Sequence, residues 1–371
     1  MADVDAIVVG GGLVGSAVAY GLVRLGRKTV LFDEGDMAYR ASRGNFGLVW
    51  VQSKGFGAPA YQKWTRNSSG IWSEFAAELQ RETGIHCGHE RPGGVTICLD
   101  DRELDTRQRL MEQLHVEAGE TNFEYEMLDH DRLKKLIPAI GPEVAGASYT
   151  PYDGHANPLY TLRALHSQFL KLGGIYVPNA GVRQIDSAPN RFTVTAGGKT
   201  YTAPRIVLAA GLGNNALGPH VGLDVPVRPV RGQIIVTERC EPVLPMPTLM
   251  IRQTVEGTIM IGESREEAGF DDATSPSIVK MLADRAVKTF PFLETVRVVR
   301  TWGALRVMSP DGLPIYEQSG EFPGAFVCTC HSGVTLAPVH ALHYARFVSE
   351  GALPEDFSCF SAGRFNVQAA A

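Results

Sequence analysis

Two short stretches of this 371-residue sequence carry residue types that could do chemistry. The first is Gly10-Gly11-Gly12-Leu13-Val14-Gly15, which has G-x-G-x-x-G spacing. That spacing suits a dinucleotide pyrophosphate. Gly10 permits a tight turn, Gly12 lets the backbone approach the phosphates, and Gly15 lets the next helix pack closely. The helix N-terminus adds N–H groups with no intrahelical partner. Asp33 lies 18 residues beyond Gly15 and can accept hydrogen bonds from a ribose hydroxyl. Glu34 takes that role if the strand register shifts by one. A carboxylate there argues against NADP, but FAD and NAD share the fingerprint. The second stretch centres on Arg306, between strand-like Val298 to Leu305 and a Pro310-Asp311-Gly312 turn. A guanidinium can grip a planar carboxylate through two parallel hydrogen bonds, although a lone arginine is more often structural.

Secondary structure must position these groups. Asp5 to Val9 reads as a buried strand, Leu13 to Leu25 as a helix and Lys28 to Asp33 as a second strand. This βαβ unit implies a parallel sheet. The charge-free run Ala6 to Val23 has the length of a membrane span, but its five glycines make a poor continuous helix. Asp3 and Asp5 precede it, where a signal peptide would carry basic residues. No transmembrane segment is expected. Helices are expected over Tyr61 to Thr83, Arg102 to Glu117, Leu159 to Leu172, Ser275 to Phe290 and Thr335 to Ser349. Strands are expected at Val95 to Leu99 and Ile206 to Ala210, with a meander from Val182 to Ala203. Further strands follow at Gly232 to Glu238, Leu249 to Gln253, Thr258 to Gly262 and Ala325 to Cys328. The expected fold is α/β: a Rossmann-like dinucleotide-binding domain interleaved with a mixed-sheet, α+β substrate domain. The first takes residues 1–85, 148–219 and 303–371; the second takes 86–147 and 220–302.

Composition narrows the field. Hydrophobic residues form 44% and charged residues 20%, as in a globular chain. A net charge of −5 leaves no basic footprint for nucleic acid. The six cysteines show neither a CxxC pair nor zinc-ligand spacing, which predicts reduced thiols, a cytoplasmic location and no metal centre.

Eight ordered motifs resemble the D-amino-acid oxidase / glycine oxidase superfamily of FAD oxidoreductases. They include Ile7 to Gly12, Val30 to Asp33, Ala41 to Asn45, Val207 to Gly211, Val230 to Gln233, Trp302 to Arg306, Pro310 to Pro314 and His331 to Pro338. The runs Arg40 to Gln52 and Cys328 to Pro338 are most similar to the FAD subunits of D-hydroxyproline dehydrogenases, opine oxidases and hydrogen cyanide synthase. The resemblance implies an FAD site in which Ser42, Arg43 and Asn45, followed by Gly47 and Leu48, run along the pyrophosphate and flavin edge. Val182 would meet the adenine, Ala210 and Gly211 would close over the cofactor, and Gly333, Val334, Thr335 and Leu336 would face the flavin pyrimidine. Some relatives attach flavin through a cysteine at the position of Ala304; its absence, with no histidine from Ser42 to Gly47, implies noncovalent FAD.

The same resemblance implies that Arg306 holds the substrate carboxylate. His331 either touches substrate or caps the following helix, and Trp50, Tyr152 and Arg252 are weaker candidates for the substrate wall. Together these imply an FAD-dependent enzyme that oxidises the C–N bond of a small amino or imino acid (a D-amino acid, a D-proline- or D-hydroxyproline-like compound, an N-alkyl glycine or an opine) by hydride transfer to flavin N5, giving an imine. Partner subunits or an electron-acceptor protein are possible. The alternatives are a flavin dehydrogenase of a hydroxy acid or polyol phosphate, and a non-catalytic FAD-containing electron-relay subunit.

Overall fold

The computed structural model describes residues 2–35, 41–119 and 123–365. Its largest sheet has six strands in the order Ile315–Gln318, Ala325–Thr329, Ile206–Leu208, Ala6–Val9, Thr29–Phe32 and Ile175–Val177. All neighbours run parallel except the edge strand Ile315–Gln318. Ala6–Val9 is the middle of this arrangement, with Ile7 facing both Ile206 and Val30 in register.

Alternation along that strand builds two cores. Ala6 and Val8 join a core with the helix Leu13–Arg24 and the helices Pro59–Thr83 and Pro158–Lys171. Ile7 and Val9 point the other way, toward Phe192, Val194 and Tyr201. Those residues belong to a small sheet of Ala2–Asp3, Lys199–Ala203, Arg191–Ala196 and Asp186–Ala188. The parallel sheet is thus covered on both faces, as its apolar strands require.

A second region is built on the twelve-residue strand Arg228–Arg239, which pairs antiparallel with Thr258–Ile261 and with Val298–Met308. A three-stranded sheet of Gly94–Cys98, Gly146–Thr150 and Glu126–Asp129 joins it through a bridge between Val95 and Thr248. The helix Pro276–Thr289 buries Leu282 and Ala286 in the core shared by these strands.

Several expected elements differ in detail. Val182 to Ile185 is irregular, and the meander starts at Asp186. The helix expected over Thr335 to Ser349 is interrupted: helical Ala337–Val339 passes into a π-helical stretch, His340–Tyr344, before Ala345–Glu350. Pro338, which has no N–H to donate, sits where that irregular start begins. Two expected domain boundaries fall inside strands: 147/148 within Gly146–Thr150 and 302/303 within Val298–Met308.

Candidate active site

The glycine turn leaves the C-terminal end of the central strand. Gly10 has φ 109°, and a Cβ there would run into the Ala209 carbonyl of the neighbouring strand connection. Only glycine meets both demands. A Cβ on Gly15 would collide with the Gly10 carbonyl, so helix and turn touch backbone to backbone. Leu13–Arg24 has no side-chain cap from Gly12 itself; instead Ser42 Oγ accepts from Leu13 N at 2.9 Å. Asp33 accepts from Gly11 N at 2.7 Å and from Gly35 N at 3.1 Å, which fixes its carboxylate beside the turn.

These groups line one cavity of about 600 Å³, within the range of small-molecule and cofactor sites. Gly10, Gly12, Leu13 and Val14 of the glycine turn line it, with Asp33 and Glu34. Ser42, Arg43 and Asn45 border it from the following segment. Val182, Ala210 and Gly211 contribute further wall, and Gly333 faces it from the C-terminal turn. Arg40, at the start of the expected flavin-edge run, lies outside the described residues.

A second cavity of about 140 Å³ shares six lining residues with the first: Ala41, Asn45, Leu305, Val307, Cys330 and His331. Arg306 lines it, together with Leu48, Trp50, Val334 and Thr335. The Thr335 hydroxyl accepts from Trp50 N at 3.0 Å, so the C-terminal turn and the segment after Leu48 are fastened together. Arg306 is held by backbone: its Nη1 donates to Ser264 O at 2.6 Å and Arg231 O at 3.2 Å, and its guanidinium lies over Gly232, where any Cβ would clash. Two of its five N–H groups are thereby committed, leaving the Nε and Nη2 side. Burial lowers its pKa, yet an arginine stays cationic.

The other expected residues lie elsewhere. Gly15 and Leu336 are packing residues that line neither cavity; Leu336 is fully buried in the helical core. Gly47 also lines neither; it takes φ 92° and donates to Asn45 Oδ1 at 2.7 Å. Tyr152 lines neither cavity; its ring stacks on Phe123, 5.8 Å away, in a satellite cluster, and Ser69 Oγ donates to its carbonyl. Arg252 lines neither cavity either. It is buried behind the Phe46 segment, donates to Phe46 O and contacts His155 Nδ1 at 3.4 Å. Desolvation pulls it down to about 10.

The structure also adds residues that no motif marked. Lys54, Glu263 and Arg265 line the smaller cavity. Lys54 Nζ lies 3.3 Å from His331 Nδ1. Burial lowers Lys54 to about 8 and drives His331 well below the ordinary histidine range. His331 is therefore neutral at pH 7, with Nδ1 available as an acceptor. His166 Nε2 and Ser16 Oγ, 2.7 Å apart, both reach the Gly11 carbonyl and brace the glycine turn from behind. Behind Trp50, buried Asp153 accepts from Val51 N and Gln52 Nε2, and Arg107 donates to the Gln52 side chain. The one available signal for Lys54 was its place just past the Arg40 to Gln52 run.

The model of the FAD dependent oxidoreductase (DAO) family matches residues 5–346, nearly the whole chain. The chain belongs to that family. An opine oxidase subunit of Agrobacterium tumefaciens (strain Ach5) is 42% identical over 370 residues, covering 100% of both chains. The hydrogen cyanide synthase subunit HcnC of Pseudomonas aeruginosa is 26% identical, covering 99% of this chain and 97% of its own. The crystal structure of glycine oxidase from Geobacillus kaustophilus superposes with a TM-score of 0.88 at 25% identity, over 97% of this chain and 98% of that one. The larger cavity suits an FAD on the chain's own terms: a backbone-only glycine turn at a helix N-terminus, an anchored carboxylate beside it, and a volume of about 600 Å³.

Proposed function

We propose that this FAD-dependent oxidoreductase oxidises the C–N bond of a small amino or imino acid bound in the 140 Å³ cavity. The single observation carrying this reading is the shared wall: the larger cavity and the small one meet at Leu305 and Val307, one residue either side of Arg306, and at Cys330 and His331. Residues from the glycine turn, Asp33 and Ser42 to Asn45 would hold the cofactor, and Arg306 would hold the substrate carboxylate. When bound, FAD supplies the hydride acceptor. The substrate's α C–H bond breaks with its electron pair while the nitrogen lone pair forms the C=N bond; water later hydrolyses the imine. What the chain's residues contribute is orientation, through an arginine locked by two carbonyls, and a polar pocket narrow enough to limit water.

We propose noncovalent FAD. Ala304 offers no nucleophile, and burial pushes Cys330 up to about 12 and Cys328 well above its ordinary value, leaving both as poor thiolates. The relatives named as subunits support an assembly with partner subunits. All six cysteines are free, which fits a cytoplasmic setting, and no helix among the described residues is long and apolar enough to cross a membrane.

The test is anaerobic mixing of the yellow protein with a panel of D-, L- and N-alkyl amino acids while absorbance is followed. Bleaching by members that carry both an amine and an α-carboxylate supports the reading. Bleaching only by hydroxy acids or polyol phosphates, or by nothing, rejects it. Acid precipitation should release the flavin into the supernatant.

A further inference from the structure

We propose that Lys54 is a nucleophile that captures the product: its amine attacks the C=N bond left by oxidation, holds the carbon skeleton on Nζ as a covalent imine and expels the free amine before water completes the hydrolysis. This rests on the amine-oxidation reading for the source of the imine, though not for the reactivity of Lys54 toward a carbonyl carbon.

Placement comes first. Lys54 and Arg306 line one cavity of about 140 Å³. An acid gripped by Arg306 has its neighbouring carbon inside that space, so attack by Nζ is close to an intramolecular reaction. Nζ lies 3.3 Å from Nδ1 of His331, a residue on the wall shared with the cofactor cavity. The surroundings also favour an uncharged amine. Glu263 faces Lys54 and attracts its charged form, but that carboxylate is shared with two guanidiniums. Its Oε1 lies 2.6 Å from Arg265 Nη2 and 2.8 Å from Arg265 Nε, and its Oε2 lies 3.8 Å from Arg306 Nη2. Burial is the largest effect, both arginines add to it, and together they outweigh Glu263 and Cys330 and lower Lys54 to about 8. The short contact, neutral His331, accepts a hydrogen bond from either form of the amine and so does not demand a charge. A fixed positive charge would be better supplied by another arginine; a buried lysine is the cation that can give up its proton and use the lone pair.

The step needs no further oxidant. Hydride loss leaves the substrate as a cationic iminium, and a second positive charge beside Lys54 disfavours its protonated form still more. The Nζ lone pair forms a bond to the iminium carbon while the C=N π pair moves onto the substrate nitrogen. One proton passes from Nζ to that nitrogen. The C–N bond then breaks with its electrons on the departing amine, which leaves neutral, as the Nζ lone pair forms the new C=N bond. Water adds to the lysine-bound iminium, and hydrolysis gives the 2-oxo acid and returns Lys54 in its protonated form.

The test incubates the FAD-loaded protein with pyruvate or glyoxylate and cyanoborohydride, which reduces an iminium to a stable secondary amine, and maps the product by peptide mass spectrometry. Lys54 should carry the carboxyalkyl group at least about tenfold faster than any other lysine, the advantage of a held carbonyl over a free one. Arg306→Met should slow labelling of Lys54 at least about tenfold and leave the other lysines unaffected, since the grip on the carboxylate is lost. Lys54→Arg keeps the cation without the nucleophile. With an amine that bleaches the flavin, its steady-state rate should fall at least about tenfold further than its bleaching rate, because capture follows the hydride step. Labelling of Lys54 no faster than of other lysines, or equally fast in Arg306→Met, overturns the proposal. If the 2-oxo acids label Lys54 while no amine bleaches the flavin, the oxidation reading fails and the carbonyl chemistry of Lys54 stands.

Discussion

The glycine turn and the small cavity present polar groups by opposite means. At the turn, the chain offers backbone: the N-terminus of Leu13–Arg24, a Gly10 that no side chain can replace, and a carboxylate pinned by two N–H groups. Every participant but Ser42 and the bracing His166 lies within one βαβ unit. In the small cavity the chain offers side chains: Lys54, Glu263, Arg265 and Arg306, brought together from segments more than 200 residues apart. Backbone recognition is written as a spacing, so it survives as a motif. Side-chain recognition is written only in the tertiary fold, so it can be retuned by single substitutions while the cofactor stays bound.

That contrast sets the first and largest expected effect. Gly10→Ala places a Cβ against the Ala209 carbonyl at a φ that alanine resists. It should yield protein with under about a tenth of the native flavin content, or protein that does not fold. A flavin-to-protein absorbance ratio checks it, with circular dichroism to separate the two outcomes. A fully loaded variant would mean that the turn is not the dinucleotide end.

Arg306→Met comes next. It should keep flavin content and raise KM for amino-acid substrates by about 100-fold, the scale of two charge-assisted hydrogen bonds after partial compensation. Steady-state kinetics with a substrate found in the bleaching panel measures it. Loss of flavin instead would show that the two cavities are not independent, and would break the comparison.

The same contrast explains what could be read from sequence. The parallel sheet and the glycine turn were legible because local spacing determines them, whereas Ser42, Arg43 and Asn45, which line the larger cavity, were reached only through the family resemblance. Arg306 was legible through its motif neighbours and lies in the small cavity. Lys54, Glu263, Arg265 and His166 were not, since each is an ordinary polar residue until the fold brings it in. Arg252 and Tyr152 line neither cavity, for the converse reason. A lone arginine in a strand looks available, yet Arg252 is spent on the Phe46 carbonyl, and Tyr152 is spent on an aromatic stack. The π-helical stretch was hidden because a single Pro338 does not specify how the chain accommodates it.

The smallest effect concerns the support behind the small cavity. Asp153 is fully buried, accepts from Val51 N at 2.5 Å and Gln52 Nε2 at 2.6 Å, and so anchors the segment that carries Trp50 and Lys54. Burial raises its carboxyl from 3.8 to about 7, with those hydrogen bonds and Arg107 opposing the rise. A carboxyl raised in the folded state binds its proton more tightly there than when unfolded. Its contribution to stability is therefore greatest below about pH 4, falls as pH climbs through the window from about 4 to 7, and is level above. Asp153→Asn keeps an acceptor for Val51 N but cannot ionise. Relative to the native protein, its Tm should rise by a few degrees between pH 5 and pH 8, as one removed proton-linked site predicts. Flavin content should not change, and KM should shift only a few-fold, because the hydrogen bonds that fix the glycine turn do not involve this buried anchor. Thermal melts at the two pH values test the linkage. A variant that sheds its flavin would show the anchor serving both cavities at once.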